Sequence, residues 1–203
     1  MNADRNKITN HPGVFKTNSK PYGESYVKWT EKWWRWAFSI PKDQNPITDK
    51  TGEYCGKGQD GPVWYLAGTT ENTFHAKRSC VIPRRKSILF PIIISQFSRS
   101  EKPTMTDREL VRYTAKDIDQ ASFLEVIVDD LQLTDLSKFR VQSFFNLDLV
   151  EGNIWDIQPG PTMAASDGFW VFLKPLSKGK HTINFQGVEP NFKTRVTYNI
   201  TII

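Results

Sequence analysis

Long apolar runs are missing from this chain. The longest, Ile88 to Ile94, is interrupted by Pro91 and falls far short of the ~18 residues that a membrane span requires. No apolar segment accompanies Asp4, Arg5, Lys7, Lys16 and Lys20 in the first 23 positions, so no secretory leader is present as written. The expected compartment is therefore cytoplasmic, or extracytoplasmic if a leader has been removed. Histidine is scarce, at three residues, and cysteine scarcer, at two. With no CxxC pair and only His75 close in sequence, a tetrahedral zinc set is excluded. There is no G-x-S-x-G elbow to present a nucleophile. The glycines Gly56, Gly58 and Gly61 lack the Lys-Ser/Thr that a phosphate-cradling loop carries. The net charge of +5 favours approach to anionic surfaces, but the densest basic groups are only Lys77-Arg78 and Arg84-Arg85-Lys86, too short a footprint for a nucleic-acid partner.

What the chain does have is rings and strand patterning. Aromatics make up 13% of 203 residues, enough for a core built from large side chains. Residues 1–23 are polar and broken by Pro12, Gly13, Pro21 and Gly23, and read as a flexible arm. From 24 to 40 the period becomes helical: Tyr26, Trp29, Trp33, Trp36, Ala37 and Ile40 fall within about 100° of arc, with Lys28, Lys32 and Arg35 opposite. Pro41 stops that helix. Trp34 and Phe38 lie off the stripe, so a single buried face does not account for every ring. Residues 42–62 form a turn-rich connector, and a connector of this length is expected to be functional or tied down by a crosslink.

Strands are expected at Val63 to Ala67, Cys80 to Ile82 and Ser87 to Ser95, with Pro91 at an edge or bulge. A second helix, Thr106 to Gln120, opens on the capping box Thr106-Asp107-Arg108-Glu109. Strands follow at Ser122 to Val128, Leu131 to Leu133 and Phe139 to Leu147, with a solvated turn at Asp129-Asp130. The last three, Gly168 to Leu173, His181 to Gln186 and Lys193 to Ile202, are clearer. In the final one Val196, Tyr198, Ile200 and Ile202 alternate with polar residues, as in a strand with one buried face. The chain thus reads as mainly β: an antiparallel β-sandwich of jelly-roll or immunoglobulin-like type, with an N-terminal amphipathic helix and one further short helix. Residues 24–203 form one domain in this reading, with helix 24–40 packed on it.

Certain segments are distinctive. Trp29, Trp33, Trp34 and Trp36 are followed by Asn45-Pro46, Asp49, Thr51-Gly52 and Cys55. Then come the run Gly61 to Thr69 (GPVWYLAGT), Cys80, and Gly179 to Ile183 (GKHTI). In these segments the chain resembles an uncharacterised, usually secreted group of bacterial and archaeal proteins, from about residue 24 to the end. The resemblance implies a β-rich fold and a secreted setting for the relatives, and it carries no assigned activity. The sequence as given opens without the leader usual in that group.

Candidate chemistry is sparse. Cys55 and Cys80 can close a disulfide in an oxidising compartment, adding on the order of 3 kcal/mol. Asp43, Asn45, Asp49 and Glu53 offer the oxygen ligands that calcium takes, although not at the spacing of an EF-hand; no other cofactor is expected. Trp64, Tyr65, Trp155 and Trp170 could present flat rings to a sugar or peptide, with Trp155 the one expected at the surface. The function expected is that of a non-enzymatic binding or assembly module, its partner a glycan, a peptide, a protein or another copy of itself. The alternative is a hydrolase, metal-assisted in one form, whose site is assembled only in the fold around Asp49, Asp60 and His75.

Overall fold

The structure, a computed structural model, describes residues 13–70 and 75–203; the first twelve positions of the expected arm lie outside the described residues. In chain order the elements are helix α1 (Tyr26–Phe38), β1 (Val63–Tyr65), β2 (Ala76–Ile82), β3 (Ser87–Ser98), helix α2 (Asp107–Ile118), β4 (Phe123–Val128), β5 (Leu131–Gln132), β6 (Arg140–Leu149), β7 (Gly160–Leu173), β8 (Gly179–Glu189) and β9 (Phe192–Ile202). They make a mainly β fold with two sheets and two helices. One sheet runs β1-β3-β7-β6 and the other β2-β9-β8-β4-β5.

Both sheets are mixed, which corrects the expectation of purely antiparallel pairing. β1 lies parallel to β3 and β2 parallel to β9, while the other pairs are antiparallel. After β1 the chain crosses to the other sheet to form β2 and then returns as β3. A crossover of this kind leaves neighbours parallel, which a tight hairpin cannot do.

The alternation read at the C-terminus has its expected meaning. Val196, Tyr198, Ile200 and Ile202 of β9 are buried and share a cluster with Ile183 and Phe185 of β8 and with Ile88, Phe90 and Val171 of the first sheet. The rings of Phe90 and Phe185 stack there at 4.9 Å. Pro91 sits at a bulge in β3, where the register against β7 shifts between Pro91 and Ile93. The missing proline N–H therefore costs no regular ladder bond.

Helix α1 starts where the Ser25 side chain accepts the amide of Lys28, a standard N-cap. Its rings fill a second cluster with Leu89, Phe145, Trp170 and Phe172. Trp34 and Phe38, off the main stripe, are buried as well, so the helix meets protein on more than one side. Its indoles find donor roles deep in the structure: Trp33 donates to the Leu66 carbonyl at 2.9 Å and Trp34 to Ser166 Oγ at 2.7 Å. Residues 13–15 lie along β7, with the Phe15 amide donating to the Phe172 carbonyl. Helix α2 carries the full Thr106–Glu109 capping box.

One consequence of the topology matters for function. β1 pairs with β3 only as far as Leu89, and β2 pairs with β9 only from Val196 onward. Beyond those points β3 runs on past Pro91, and β9 starts four residues earlier, at Phe192, each without its parallel neighbour among the described residues.

Candidate functional site

The 42–62 connector is held by polar bonds made almost wholly within the chain. Asn45, fully buried, donates to the carbonyls of Ala37 at 2.7 Å and Ile40 at 2.8 Å and so satisfies the end of α1, while its own Oδ1 accepts from Ile47. Asp49 Oδ1 takes the amides of Thr51 and Gly52, and Oδ2 takes that of Tyr54 at 2.8 Å. Burial pushes this carboxyl up, but those amides and the Thr51 hydroxyl outweigh it and hold the group below its ordinary value. The loop can pass this close to β2 only through Gly52, whose φ is +92° and whose added Cβ would lie 2.2 Å from the Ser79 carbonyl.

Arg78 anchors the same loop from the strand side. It is 1% exposed and donates to the carbonyls of Ile47, Asp49, Ala67 and Gly68 and to the Tyr198 hydroxyl, at 2.7 to 3.0 Å. Cys55 and Cys80 are joined in a disulfide, as their residue types suggested. Of the four oxygen-bearing residues considered for calcium, Asp43 and Glu53 face solvent, and Asn45 and Asp49 are buried with their oxygens engaged by the loop's own N–H groups. A cation would have to displace those donors. Among the described residues no three His, Cys, Asp or Glu side chains gather as metal ligands.

The four aromatic candidates separate. Trp64, Tyr65 and Trp170 lie in the interior, while Trp155 is 40% exposed. Asn153 shapes the Trp155 turn, donating to the carbonyls of Val150 and Ile157 and accepting from the amide of Trp155. Of the other three rings none shares the wall that Trp155 occupies, a cavity of about 360 Å³.

That cavity occupies the gap left where β1 and β2 stop short. β3 from Pro91 to Phe97 forms one side and Phe192 and Thr194 of β9 another, with Gly68 to Thr70 of the crossing segment between them. The indoles of Trp33 and Trp34 and the ring of Trp155 close it, and Asp117 and Glu189 reach it from α2 and the end of β8. Two polar side chains in this wall stand apart. Gln96 is 7% exposed and Thr194 2%, and neither atom of the Gln96 amide nor the Thr194 hydroxyl has a hydrogen-bond partner among the described residues. Buried side-chain polar groups almost always do, and leaving one unmade costs about 1–3 kcal/mol. Sequence reading missed both residues. The only signal was a glutamine at the end of an apolar strand.

Other titratable groups fall into local roles. His75 Nε2 lies 2.8 Å from the Thr197 hydroxyl, Asp60 caps its own turn at Gly61, and Asp49 is engaged as described; no bond joins these three side chains. His181 does contact an acid and a serine, at 3.0 Å from Asp129 Oδ2 and 3.4 Å from Ser177 Oγ. Its Nε2, however, also lies 2.9 Å from the Ser177 carbonyl. Both ring nitrogens thus face oxygen atoms of neighbouring groups. Burial opposes a charge on the ring, but Asp129 and the Ser177 carbonyl prevail and hold the pKa above its ordinary value. The Ser177 carbonyl lies closer to Nε2 than the Ser177 hydroxyl does, so the trio reads as a clamp between the β4–β5 turn and the start of β8.

No protein-family profile, curated protein or solved structure matches this chain.

Proposed function

We propose that this protein is a binding module whose ligand enters the cavity between β3 and β9. The observation that carries the reading is the pair Gln96 and Thr194: a whole carboxamide and a hydroxyl, buried, without partners among the described residues, in a wall otherwise made mostly of aliphatic and aromatic side chains. Mostly apolar walls with a few convergent polar groups are what small-molecule sites look like. The polar pair supplies orientation and the rings supply contact area. Burial of the unpartnered groups is offset once a ligand completes their hydrogen bonds.

The shared cluster between the two sheets supports a sandwich-type scaffold for this site, rigid on the sides where β3 and β9 are paired. The closed Cys55–Cys80 bond supports an extracytoplasmic setting, since disulfides persist in oxidising compartments. The ligand in this reading is a small molecule or a peptide side chain rather than a long glycan, because the cavity volume is that of a drug-sized group. A fragment library screened by NMR tests the proposal through the side-chain amide signals of Gln96. Binders should shift these signals, and Gln96→Leu should weaken the same binders about tenfold, the loss of one hydrogen bond from a buried site. A library that leaves the Gln96 amide unmoved while binding elsewhere would sink it.

A further inference from the structure

We infer that the cavity is built for an organic cation, an ammonium group carried on an apolar body; this deepens the reading above and rests on it. The chain as a whole carries a net charge of +5, yet the ionisable side chains that line the cavity are Asp117 and Glu189, with no Lys, Arg or His beside them among the described residues. The local sign is opposite to that of the molecule. Neither carboxylate forms an ion pair among the described residues. Asp117 accepts the Ser95 hydroxyl at 2.9 Å. Glu189 is partly buried, and that burial, together with repulsion from Asp117, pushes its carboxyl above the ordinary value. A carboxylate raised in energy by burial and by a neighbouring carboxylate is relieved by a positive charge and aggravated by a negative one.

Acidic residues alone would not define a site. Here they share a cavity with the buried, unpartnered Gln96 amide and Thr194 hydroxyl, which demand a ligand on separate grounds. The remaining wall is suited to the same guest. Trp34 and Trp155 line it with aromatic rings, the side-chain type whose quadrupole attracts cations, and Ile92 and Ile94 offer contact to an apolar body. The Gln96 carboxamide, donor and acceptor together, can then hold a hydroxyl or amide on the ligand. An anion would meet two carboxylates and, among the described residues of the wall, no compensating cation.

A charge series of nearly constant shape tests this: 2-phenylethylammonium, 2-phenylethanol and 3-phenylpropanoate, each titrated at pH 7 into the labelled full chain while the Gln96 amide and Trp155 indole signals are followed. The ammonium should bind at least about tenfold more tightly than the other two, the effect of a partly desolvated cation over rings and carboxylates. The double substitution Asp117→Asn with Glu189→Gln should bring the ammonium down to the affinity of the alcohol and leave the alcohol unchanged, with the backbone amide spectrum confirming that the variant is folded. Equal or tighter binding of the alcohol or the carboxylate overturns the inference while leaving the cavity a binding site. If all three leave Gln96 unmoved the inference fails too, and the fragment screen then shows whether the broader reading fails with it.

Discussion

Two glutamines, each in a segment that runs beside an edge strand, have opposite surroundings. Gln59 donates from its amide to the carbonyls of Cys55 at 3.0 Å and Tyr65 at 2.8 Å and accepts the Tyr65 amide at 2.9 Å. It clips the 42–62 loop to β1. Gln96, a short way along the neighbouring strand from where β1 ends, makes none of these bonds. The same contrast holds for the regions around them. In and against the loop, Asn45, Asp49 and the β2 residue Arg78 are buried polar groups whose partners are supplied by the chain. In the cavity wall, Gln96 and Thr194 are as well buried, and no described residue supplies them a partner. The loop is thus finished when the protein folds, whereas a buried carboxamide and hydroxyl that face a cavity fit one that a ligand finishes.

Substitutions in the loop should therefore be costly. The largest effect is expected at Arg78→Leu, which strands the carbonyls of Ile47, Asp49 and Gly68; at 1–3 kcal/mol for each buried unpaired group the loss should be about 4 kcal/mol. Urea unfolding with an unchanged slope measures it, and a loss under about 1 kcal/mol would break the contrast. Next is the crosslink. Replacing Cys55 and Cys80 together by Ala opens a loop with a sequence separation of 25 and should cost roughly 3.5 kcal/mol by chain-entropy reasoning. Asp49→Ala removes the acceptor for three amides and should cost about 2 kcal/mol near neutral pH. The sign of its pH dependence follows from the lowered pKa. Asp49's contribution is present above the unfolded value near ~3.9 and is lost as pH falls through the folded one, so wild type and variant should converge in acid.

Much of the frame was legible in the residues. The rings of α1 announced themselves by period, Thr106 and Glu109 by their spacing, and β9 by strict alternation. β7 begins at Gly160 rather than Gly168 because Pro161 to Asp167 have poor strand propensity, which pairing with β6 on one side and β3 on the other overrides. Arg78 was hidden inside a basic pair, although alternation with Ala76, Cys80 and Ile82 places it inward and Lys77 outward. The cavity was not legible at all. Whether Gln96 is satisfied depends on where β1 stops and how the chain crosses to β2, and neither is written in the residues around Gln96. Trp155, placed at the surface by its irregular segment, was the one cavity residue among the four rings singled out.

The finest test of the contrast is a matched pair in which the same chemistry is removed at both glutamines. Leucine is close to glutamine in volume, so Gln59→Leu and Gln96→Leu differ chiefly in the bonds they delete. At Gln59 two carbonyls and one amide lose their partner, and a loss of about 2 kcal/mol is expected. At Gln96 no side-chain bond to a described residue is lost and an unsatisfied carboxamide leaves the interior, so stability should stay within about 1 kcal/mol of wild type and could rise. Paired urea titrations measure the difference directly. If Gln96→Leu proved as damaging as Gln59→Leu, Gln96 would be bonded within the folded chain after all. The cavity would then be an ordinary packing gap, since a side chain whose removal harms the free protein is already being used by it.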